Sequence, residues 1–449
     1  MLACWTIRRT KGERASMDRR SRTPLLLMAL TVFIDLTGFG IILPLLPFWA
    51  ERLGANPVEV GLILTLYALA QLIFTPLLGT LSDRYGRRPV IVGSLLIEAA
   101  GFALTALAGS LPLLLAARFI GGIGASNIGS AQAVVADTTP PEERARGMGL
   151  IGAAIGMGFV VGPAIGGVLA AIGGVLAGAG AGAALPFWVA MGVALLNALL
   201  VTLLLPETRR RTAISPRAAG AALAGASWRQ VLGHPAIVRL VAINLLFTLA
   251  FSAMEAVFPL FTQAGFGWGA TQNGYVFTFV GVVIVLVQGG LVGQLARRFG
   301  ERALLAGGLG LLAVGLALLP LSSTLALLLV ALGILSAGDG LVTPATSALL
   351  SIASPSDAQG QTLGIAQGAA GLGRILGPLG AGALFAAGAG LPFVAGAGLA
   401  LVALAFALPR LPAPDVSATQ AAESATNTRA AAATGQPAAA DASHALPVR

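Results

Sequence analysis

The sequence is poor in the residues that build disulfide frameworks, metal centres and nucleotide-binding loops. Its 449 residues include one cysteine, Cys4, and two histidines, His234 and His444. One cysteine excludes a disulfide within the chain, and so few ligands of this type leave nothing from which to build a Cys/His metal cluster. Lys11 is the only lysine, so the G-x-x-x-x-G-K-[ST] phosphate loop cannot form. We therefore expect no enzyme, no bound metal or cofactor, and no ATP hydrolysis by this polypeptide.

Charge is scarce as well. Only 10% of the residues are charged, whereas soluble proteins have about 25%, and the mean hydropathy is +0.88. A helix needs roughly 20 apolar residues to cross a bilayer. Twelve stretches meet this length: 23–49, 57–80, 88–109, 111–135, 147–172, 184–205, 236–262, 273–295, 302–321, 323–351, 361–386 and 390–410. The sequence therefore predicts an all-α polytopic membrane protein with 12 transmembrane helices.

The net charge of +9 is explained by where the arginines lie. If the N-terminus is cytoplasmic, arginines crowd the cytoplasmic connections, whereas Arg52 is the one example found in an outer connection. Such a bias is the positive-inside pattern of membrane proteins. We therefore expect a multi-pass protein of the plasma (inner) membrane with both termini cytoplasmic. Its expected partner at this point is the lipid bilayer. We expect a monomer and no nucleic-acid partner.

The polar segments divide the chain. Residues 1–22 read as a disordered basic leader in which Met17 could be the true start, and no cleavable signal peptide is apparent. Residues 206–235 read as a basic cytoplasmic linker, and residues 411–449 as a disordered tail rich in Ala, Thr, Ser and Gln.

The two apolar regions between these segments repeat one another. "GTLSDRYGRRPV", which starts at Gly79, is echoed by "GQLARRFGERAL" from Gly293. "GFVVGPAIGG" from Gly158 is echoed by "GRILGPLGAG" from Gly373, at almost the same offset. Two motifs at one offset indicate a duplicated unit of six helices, whose copies are parallel because six is even. We therefore predict two pseudo-symmetric bundles, residues 23–205 and 236–410.

Four motifs carry a resemblance to a known family. "GTLSDRYGRRPV" resembles the signature loop of the major facilitator superfamily. "GFGIILPLLP" in the first span and "LLAARFIGGIGAS" in the fourth resemble motifs of twelve-helix drug:proton antiporters. "GFVVGPAIGG" resembles the antiporter motif of the fifth span, and "VVADTTPPEER" and "FGWGATQNGYVF" look most like the tetracycline-efflux class. The resemblance implies the major facilitator fold and a proton-driven exporter of amphipathic drugs, with antibiotic resistance as the outcome.

By this resemblance the signature loop is a gate at the cytoplasmic entrance. Asp83 would pair with Arg87 and face the N-terminus of a helix in the other half, and Asp137 would be a partner for the arginines. The second copy has Arg297 in place of Asp83, so the acid of this contact comes from the first half alone. The alternative is a solvated loop that only sets topology. The expected gating residues are Gly79, Asp83, Arg84, Gly86, Arg87, Arg88 and Asp137.

The fifth-span motif places Gly158, Gly162 and Gly166 four residues apart, on one face of a helix. Small residues at this spacing let helices approach closely, and Pro163 bends the helix. With Gly167 these residues are expected to form a leak-tight contact between the halves, which the family associates with exporters. General packing is the alternative.

Six ionisable residues fall inside the predicted spans: Asp35, Glu98, Arg118, Glu255, Asp339 and Arg374. Placing each of them at the centre of a membrane helix costs roughly 2.5–3.5 kcal/mol of insertion free energy. Such residues therefore face a cavity or a partner and are functional candidates. We expect Asp35 to bind the proton, Arg118 to hold a nearby carboxylate or carbonyl, and Glu255 to contact substrate. Pairing with a neighbour alone is the alternative for each.

Two further expectations concern substrate. Phe39, Tyr67, Gln71, Phe251 and Met254 are expected to line an apolar cavity, with core packing as the alternative. The tetracycline class has acids in its third and ninth spans, whereas here Glu98 lies a turn early and Asp339 lies in the tenth span. A carrier of an endogenous metabolite with the same fold, working as exporter or proton symporter, and a membrane sensor are the other hypotheses.

Overall fold

The computed structural model describes residues 19–139, 144–181, 184–207, 234–354 and 359–408. The predicted leader and tail, and nearly all of the predicted linker, lie outside these ranges. We number the membrane-spanning helices as spans 1 to 12. They are span 1 (Arg19–Ile42), span 2 (Pro57–Tyr85), span 3 (Arg87–Ala106), span 4 (Leu111–Gly124 and Ile128–Thr138), span 5 (Arg144–Ala181), span 6 (Leu185–Leu204), span 7 (Pro235–Phe266), span 8 (Ala270–Leu286 and Val292–Phe299), span 9 (Glu301–Leu318), span 10 (Leu325–Ala353), span 11 (Gln359–Ala387) and span 12 (Leu391–Ala407).

These helices confirm the predicted class. Within the described ranges, eleven are long and apolar enough to cross a membrane, and span 12 is a further apolar helix of 17 residues. The first prediction, residues 23–49, was too long: span 1 ends at Ile42, and a short helix, Leu46–Arg52, follows a turn. Pro44 and Pro47 explain this break, because proline cannot donate the backbone hydrogen bond that a helix interior requires.

Span 2 has well-defined ends. At its outer end the side chain of Asn56 accepts hydrogen bonds from the backbone N–H groups of Val58 (2.9 Å) and Glu59 (3.1 Å). Glu59 in turn accepts one from the backbone of Asn56 at 2.8 Å, which completes a capping box. At its inner end Gly86 has φ of +111°, a backbone conformation that glycine adopts without steric cost.

The helices pack as two bundles with the same internal arrangement. In the first bundle span 1 packs on spans 5 and 6, and span 3 packs on spans 4 and 6. In the second bundle span 7 packs on spans 11 and 12, and span 9 packs on spans 10 and 12. Adding six to each number in the first set gives the second. Spans 2 with 11 and 5 with 8 join the bundles, which is again a symmetric pair. The pseudo-symmetric fold is therefore as predicted.

Close contact between the bundles covers the outer part of these two interfaces. We call the side that carries the loop 79–90 the inner side, as the arginine distribution predicts. The Thr65 hydroxyl donates to the backbone oxygen of Ile375 at 2.7 Å, and a Cβ added to Gly61 would collide with the backbone of Pro378. Between spans 5 and 8, a Cβ added to Gly274 would lie 2.6 Å from the Cα of Gly167.

Toward the inner side the bundles separate. Gly79 lies eighteen residues, or five helical turns, from Gly61 and therefore on the same face of span 2. Gly149 stands in the same relation to Gly167 on span 5. A Cβ added to either Gly79 or Gly149 would meet no described atom within 4 Å. Gly364 on span 11 has similarly open surroundings, as does Gly289 in the π-helical turn Val287–Leu291 that joins the two parts of span 8. The structure is thus closed at its outer side and open at its inner side.

Candidate functional site

Two buried carboxyl groups meet in the first bundle. Asp35 of span 1 is 6% exposed and Glu98 of span 3 is 1% exposed. Their carboxyl groups lie within hydrogen-bonding range of each other. No nitrogen or hydroxyl donor among the described residues bonds to either oxygen of Glu98. Ionised carboxylates only accept hydrogen bonds. The pair can therefore hold one proton between its two members.

Span 4 shapes the surroundings of this pair. Its α-helix is interrupted by a 3₁₀ turn, Ala125–Asn127, and the Asn127 amide donates to Asp35 at 3.4 Å. Just before this turn, Gly124 packs directly on the backbone of Glu98, where a Cβ would collide. A larger residue at 124 would therefore push span 3 away and separate Glu98 from Asp35. Asn127 was missed by the sequence analysis, although it follows directly on the span-4 motif.

Arg118 supplies a positive charge within electrostatic range of Glu98. It is 1% exposed, and its guanidinium carbon lies 4.4 Å from the centroid of the Tyr67 ring. This is a cation–π contact between spans 4 and 2. The ring of Tyr67 stacks on Phe39 of span 1 at 5.2 Å, and Phe39 meets Phe159 of span 5 edge-on at 6.0 Å. A line of aromatic rings therefore connects Arg118 to span 5.

Arg118 does not form an ion pair within 4 Å of a carboxylate in the described residues. Its Nε and Nη1 have no hydrogen-bond partner there, while the charge of Glu98 acts on it at longer range. We expected Arg118 to bind a nearby carboxylate or carbonyl directly. In the structure its guanidinium group instead contacts the face of the Tyr67 ring. Because the arginine forms no ion pair with a carboxylate, it remains available to stabilise a negative charge on Glu98.

The other three ionisable residues form a second group in the second bundle. Glu255 of span 7 is half-buried and lies within electrostatic range of Asp339 on span 10 and Arg374 on span 11. Asp339 is 9% exposed and interacts with the hydroxyl of Thr343, one turn further along its own helix. Arg374 differs from the other five because its side chain is exposed. Each of the two groups therefore consists of two acids and one arginine.

The predicted cavity residues separate into two kinds. Phe39, Gln71 and Phe251 are partly exposed, and the Gln71 amide donates to the backbone oxygen of Ala125 at 3.3 Å. Tyr67 is buried but contacts Arg118 as described. Met254 is 1% exposed and belongs to the hydrophobic core of the second bundle, so its assignment to the cavity was wrong.

The signature loop forms a network around Arg87. The Nη1 of Arg87 lies 2.6 Å from Asp83 and donates to the hydroxyl of Ser82 at 2.8 Å. Its Nε donates to Asp137 of span 4 at 3.1 Å. Both expected pairings of Arg87 are present. The carboxylates of Asp83 and Asp137 are 55% and 38% exposed, and exposed ion pairs contribute only about 0–1 kcal/mol to stability. The network therefore fixes geometry more than it stabilises the fold.

The remaining loop residues have separate positions. Arg88 donates to the backbone oxygen of Thr202 on span 6, away from Asp83 and Asp137. Arg84 lies over the ring of Tyr85. Because the described part of span 11 has open space beside Gly364 and Gly368 on its inner face, the contact between Asp83 and a helix of the other bundle stays a prediction for the inner-closed state.

The glycine stripe of span 5 has a different partner from the one expected. Gly158, Gly162 and Gly166 pack on span 1 of the same bundle, and a Cβ added to Gly162 would lie 2.7 Å from the Cα of Gly40. Of this motif, Gly167 and the backbone oxygen of Pro163 meet the other bundle, at Gly274. The prediction that the whole stripe seals the two halves was wrong. Span 1 also carries small residues, so the stripe packs closely against it, and spacing alone does not reveal which neighbour is met.

Comparison with known proteins places this arrangement in context. A family model described as Major Facilitator Superfamily matches residues 28–303 and 287–442. The class C tetracycline resistance protein of Escherichia coli is 33% identical over 373 residues, which are 82% of this chain and 91% of that protein. Multidrug resistance protein 2 of Bacillus subtilis is 30% identical over 290 residues, which are 63% of this chain and 69% of that protein.

Solved structures share the fold. The human organic anion transporter MFSD10 has a TM-score of 0.63 and 26% identity, covering 87% of this chain and 100% of that one. A bacterial homologue of the human lysosomal transporter Spinster, in an inward-facing and occupied conformation, has a TM-score of 0.70 at 18% identity. It covers 87% of this chain and 97% of that one. At this identity the second likeness concerns the fold alone.

Proposed function

We propose that this chain, a membrane transporter that belongs to the Major Facilitator Superfamily, exports amphipathic drugs or antibiotics in exchange for protons. The tetracycline and multidrug resistance proteins that it resembles support this choice of substrate class. The proposal extends to its place in the cell: the plasma membrane, with both termini cytoplasmic, and no cofactor other than the proton gradient.

The observation that carries the proposal is the meeting of Asp35 and Glu98. Two buried carboxyl groups side by side are stable only if at most one is ionised, since like charges in a low-dielectric interior repel strongly. Deprotonation of the pair therefore requires compensation, which the nearby Arg118 or a cationic part of the substrate can supply. Proton and substrate then exclude each other, which is the requirement for antiport.

The open inner side supports loading from the cytoplasm. A cytoplasmic substrate reaches the cavity in this state, displaces the proton, and is carried outward as the two bundles rock about the central site. The outer contacts at Gly61 and Gly167 must part in this step, and the inner faces around Gly79 and Gly149 must close. A proton that moves down about 150 mV yields roughly 3.5 kcal/mol, enough for a several-hundredfold gradient of a neutral solute.

The substrate surface combines aromatic and acidic groups. Phe39 and Phe251 offer flat apolar contacts from the two bundles, and Glu255 offers an acidic group that is only half-buried. Such a surface suits amphipathic molecules that carry a basic group. The second acid group, Glu255 and Asp339, is therefore assigned to substrate contact and the first to the proton.

A susceptibility panel tests this function. The chain is expressed in an efflux-deficient bacterium, and growth is measured with tetracycline, a quinolone and a cationic dye, with and without an uncoupler. We expect the inhibitory concentration of at least one compound to rise, and the rise to disappear with the uncoupler and with Asp35→Asn. A protein that reaches the membrane and protects against none of the compounds would contradict the proposal.

One observation favours a second candidate, an exporter of organic anions. Among the six ionisable residues inside the predicted spans, Arg374 is the one with an exposed side chain. The human organic anion transporter MFSD10 shares the fold at 26% identity. An exposed guanidinium can bind a carboxylate of the substrate in bidentate fashion. In that case the parent protein would transport an anionic compound but no cationic dye. Arg374→Gln would then abolish transport of the anionic compound.

A further inference from the structure

A carboxylate beyond the end of span 6 caps the start of span 3. Glu207 lies three residues after Leu204, the last residue of span 6. Its Oε1 accepts the backbone N–H of Arg87 at 2.9 Å, and its Oε2 accepts that of Arg88 at 3.3 Å. These are the first two residues of span 3, whose N-cap, Gly86, has no side chain that could do this. Helix N-termini carry unsatisfied donors and partial positive charge, which a carboxylate stabilises.

A second contact runs in the opposite direction between the same two helices. The Nη2 of Arg88 donates to the backbone oxygen of Thr202, in the last turn of span 6. Helix C-termini leave carbonyl oxygens unsatisfied and carry partial negative charge, so the arginine complements the end of span 6 as Glu207 complements the start of span 3. Arg87 and Arg88 therefore have different roles. Arg88 fixes the loop to span 6, and the side chain of Arg87 remains available for Asp83 and Asp137.

Gly86 leaves room for this cap. A Cβ added at Gly86 would lie 2.6 Å from Oε2 of Glu207 and 2.9 Å from its carboxyl carbon. Glycine is thus needed here both for its φ of +111° and for the space that the carboxylate occupies.

The second copy of the loop offers a contrast. Gly300 also has positive φ, +81°, and also precedes a helix, span 9. A Cβ added at Gly300 would meet no described atom within 4 Å, so no carboxylate of the described structure lies beside Gly300 as Glu207 lies beside Gly86. The copy with the carboxylate cap is also the one that retains the acid, Asp83, where the other has Arg297.

Arg87 links this cap to the rest of the loop. Its backbone is held by Glu207, while its side chain bridges Asp83 and Ser82 on span 2 and Asp137 on span 4. The main chain of Arg87 sets where the guanidinium group begins. A shift of the N-terminus of span 3 would therefore move the guanidinium group relative to both carboxylates.

We propose that Glu207 is a positioning residue of the gate: it holds the start of span 3 so that Arg87 keeps Asp83 in place for closure of the inner side. In the state described here the inner side is open, so the loop makes no contact with the other bundle that would depend on the position of Arg87. In the inner-closed state the loop packs against the other bundle, so the stability of that state depends on the geometry of the loop. Loss of Glu207 therefore shifts the equilibrium toward the inner-open state and slows transport without weakening substrate binding.

The test measures conformation directly, so that it does not depend on the transported substrate. Cys4 is replaced by serine, and Gly149→Cys is introduced as a reporter on the inner face of span 5. Its labelling rate by a membrane-impermeant maleimide is followed in inside-out vesicles. We expect Glu207→Gln, which keeps the shape but not the charge, to raise the rate by about threefold to tenfold, as loss of a charge-assisted hydrogen bond allows. Glu207→Asp is expected to fall between the two.

Two matched controls isolate the cap on span 3: Glu59→Gln is compared with Glu207→Gln, and Gly300→Ala is compared with Gly86→Ala. Glu59→Gln removes a carboxylate that also caps the start of a span, but at the outer end of span 2, and is expected to leave labelling within twofold of the parent. Gly86→Ala is expected to reproduce Glu207→Gln because the new Cβ displaces the carboxylate. Gly300→Ala introduces a similar backbone strain in open space and is expected not to.

A double variant decides how Glu207 acts. If it acts through Arg87, Glu207→Gln adds nothing to the labelling change caused by Arg87→Gln. The proposal is overturned if Arg87→Gln raises labelling and Glu207→Gln does not, or if the two effects multiply. Where a transported compound is known, the maximal rate should fall with Glu207→Gln while the half-saturating concentration stays unchanged. Failure of any compound to be transported would count against the proposed function but leaves the labelling result valid.

Discussion

The guanidinium carbon of Arg118 lies 4.4 Å from the centre of the Tyr67 ring, in a region where Arg118 itself is 1% exposed. A buried arginine without an ion pair in the described structure is costly, and this ring is the group that offsets part of the cost. Cation–π contacts contribute about 0.5–2 kcal/mol, more when they are desolvated. The ring thus keeps a positive charge within electrostatic range of Glu98 without an ion pair to a carboxylate.

This relationship predicts a difference between two substitutions of Tyr67. Tyr67→Phe retains the ring face and should keep proton-driven transport within about threefold of the parent, whereas Tyr67→Leu should lower it by about tenfold or more. Initial rates in energised vesicles measure this, with membrane amounts compared by immunoblot. Equal losses for Phe and Leu would show that the hydroxyl, and not the ring face, is what matters.

The acid pair predicts non-additive behaviour. Because Asp35 and Glu98 can hold one proton between them, Asp35→Asn or Glu98→Gln alone should remove coupling, and the double variant should be no worse than the single ones. Substrate exchange without a proton gradient should persist in all three, since the proposed substrate contacts Phe39, Phe251 and Glu255 are unchanged. Independent, multiplying effects of the two substitutions would contradict a shared proton.

The glycine stripe predicts a loss of stability that depends on position. Gly162→Val would place its Cβ against span 1 and should destabilise the protein by about 1–3 kcal/mol, as overpacking does. Gly152→Val enters open space on the same helix and should be close to neutral. Thermal unfolding in detergent, followed by size-exclusion chromatography, compares the two. Equal melting temperatures would remove the close contact with Gly40 from the account.

The two ends of span 2 predict opposite conformational shifts. Gly61→Val should weaken the outer contact with Pro378 and raise the reactivity of a single cysteine near the outer side, because any Cβ at 61 collides there. Gly79→Val has room in the present state but lies on the face that must close, so it should favour the inner-open state. Maleimide labelling from each side separates these outcomes. A change in the same direction for both variants would refute the rocking movement.

An acidic group at the outer side predicts a dependence on external pH. Partial burial raises the pKa of Glu51 above its ordinary value, and a hydrogen bond with Gln263 of span 7 partly opposes this. Protonation is therefore easier in the closed outer contact than in an open, hydrated one. The contact should gain stability as external pH falls through this raised pKa, and lose it as pH rises above it. Labelling of a cysteine at the outer side should therefore slow as external pH falls. Glu51→Gln should flatten this pH profile, and a profile that Glu51→Gln leaves unchanged would exclude Glu51 as its cause.

The fold could be predicted because its signals are local. Runs of apolar residues, the arginine bias and two motifs at one offset gave twelve helices and two similar bundles, and the family resemblance from four motifs is confirmed by the comparisons. The pairings of Arg87 with Asp83 and Asp137 could also be predicted, because they belong to a recognisable motif. The early end of span 1 was signalled by Pro44 and Pro47 but not used.

The site could be predicted only as a set of candidates. Six ionisable residues stood out by hydropathy, but their division into two groups depends on which spans are neighbours, and a helical sequence does not specify that. The same limit explains the wrong partner for the stripe around Gly162 and the wrong face for Met254. Glu207 was missed because a glutamate beyond the end of a span looks like any polar boundary residue until the start of span 3 is placed beside it.

Transport driven by a pH difference in sealed vesicles tests the central claim most directly. The purified protein is reconstituted with an acidic lumen, and uptake of tetracycline or ethidium is compared with protein-free vesicles and with Asp35→Asn. The account predicts accumulation that follows the imposed difference, collapses with an uncoupler and is absent in Asp35→Asn. Accumulation in the Asp35→Asn vesicles equal to that of the parent would contradict it.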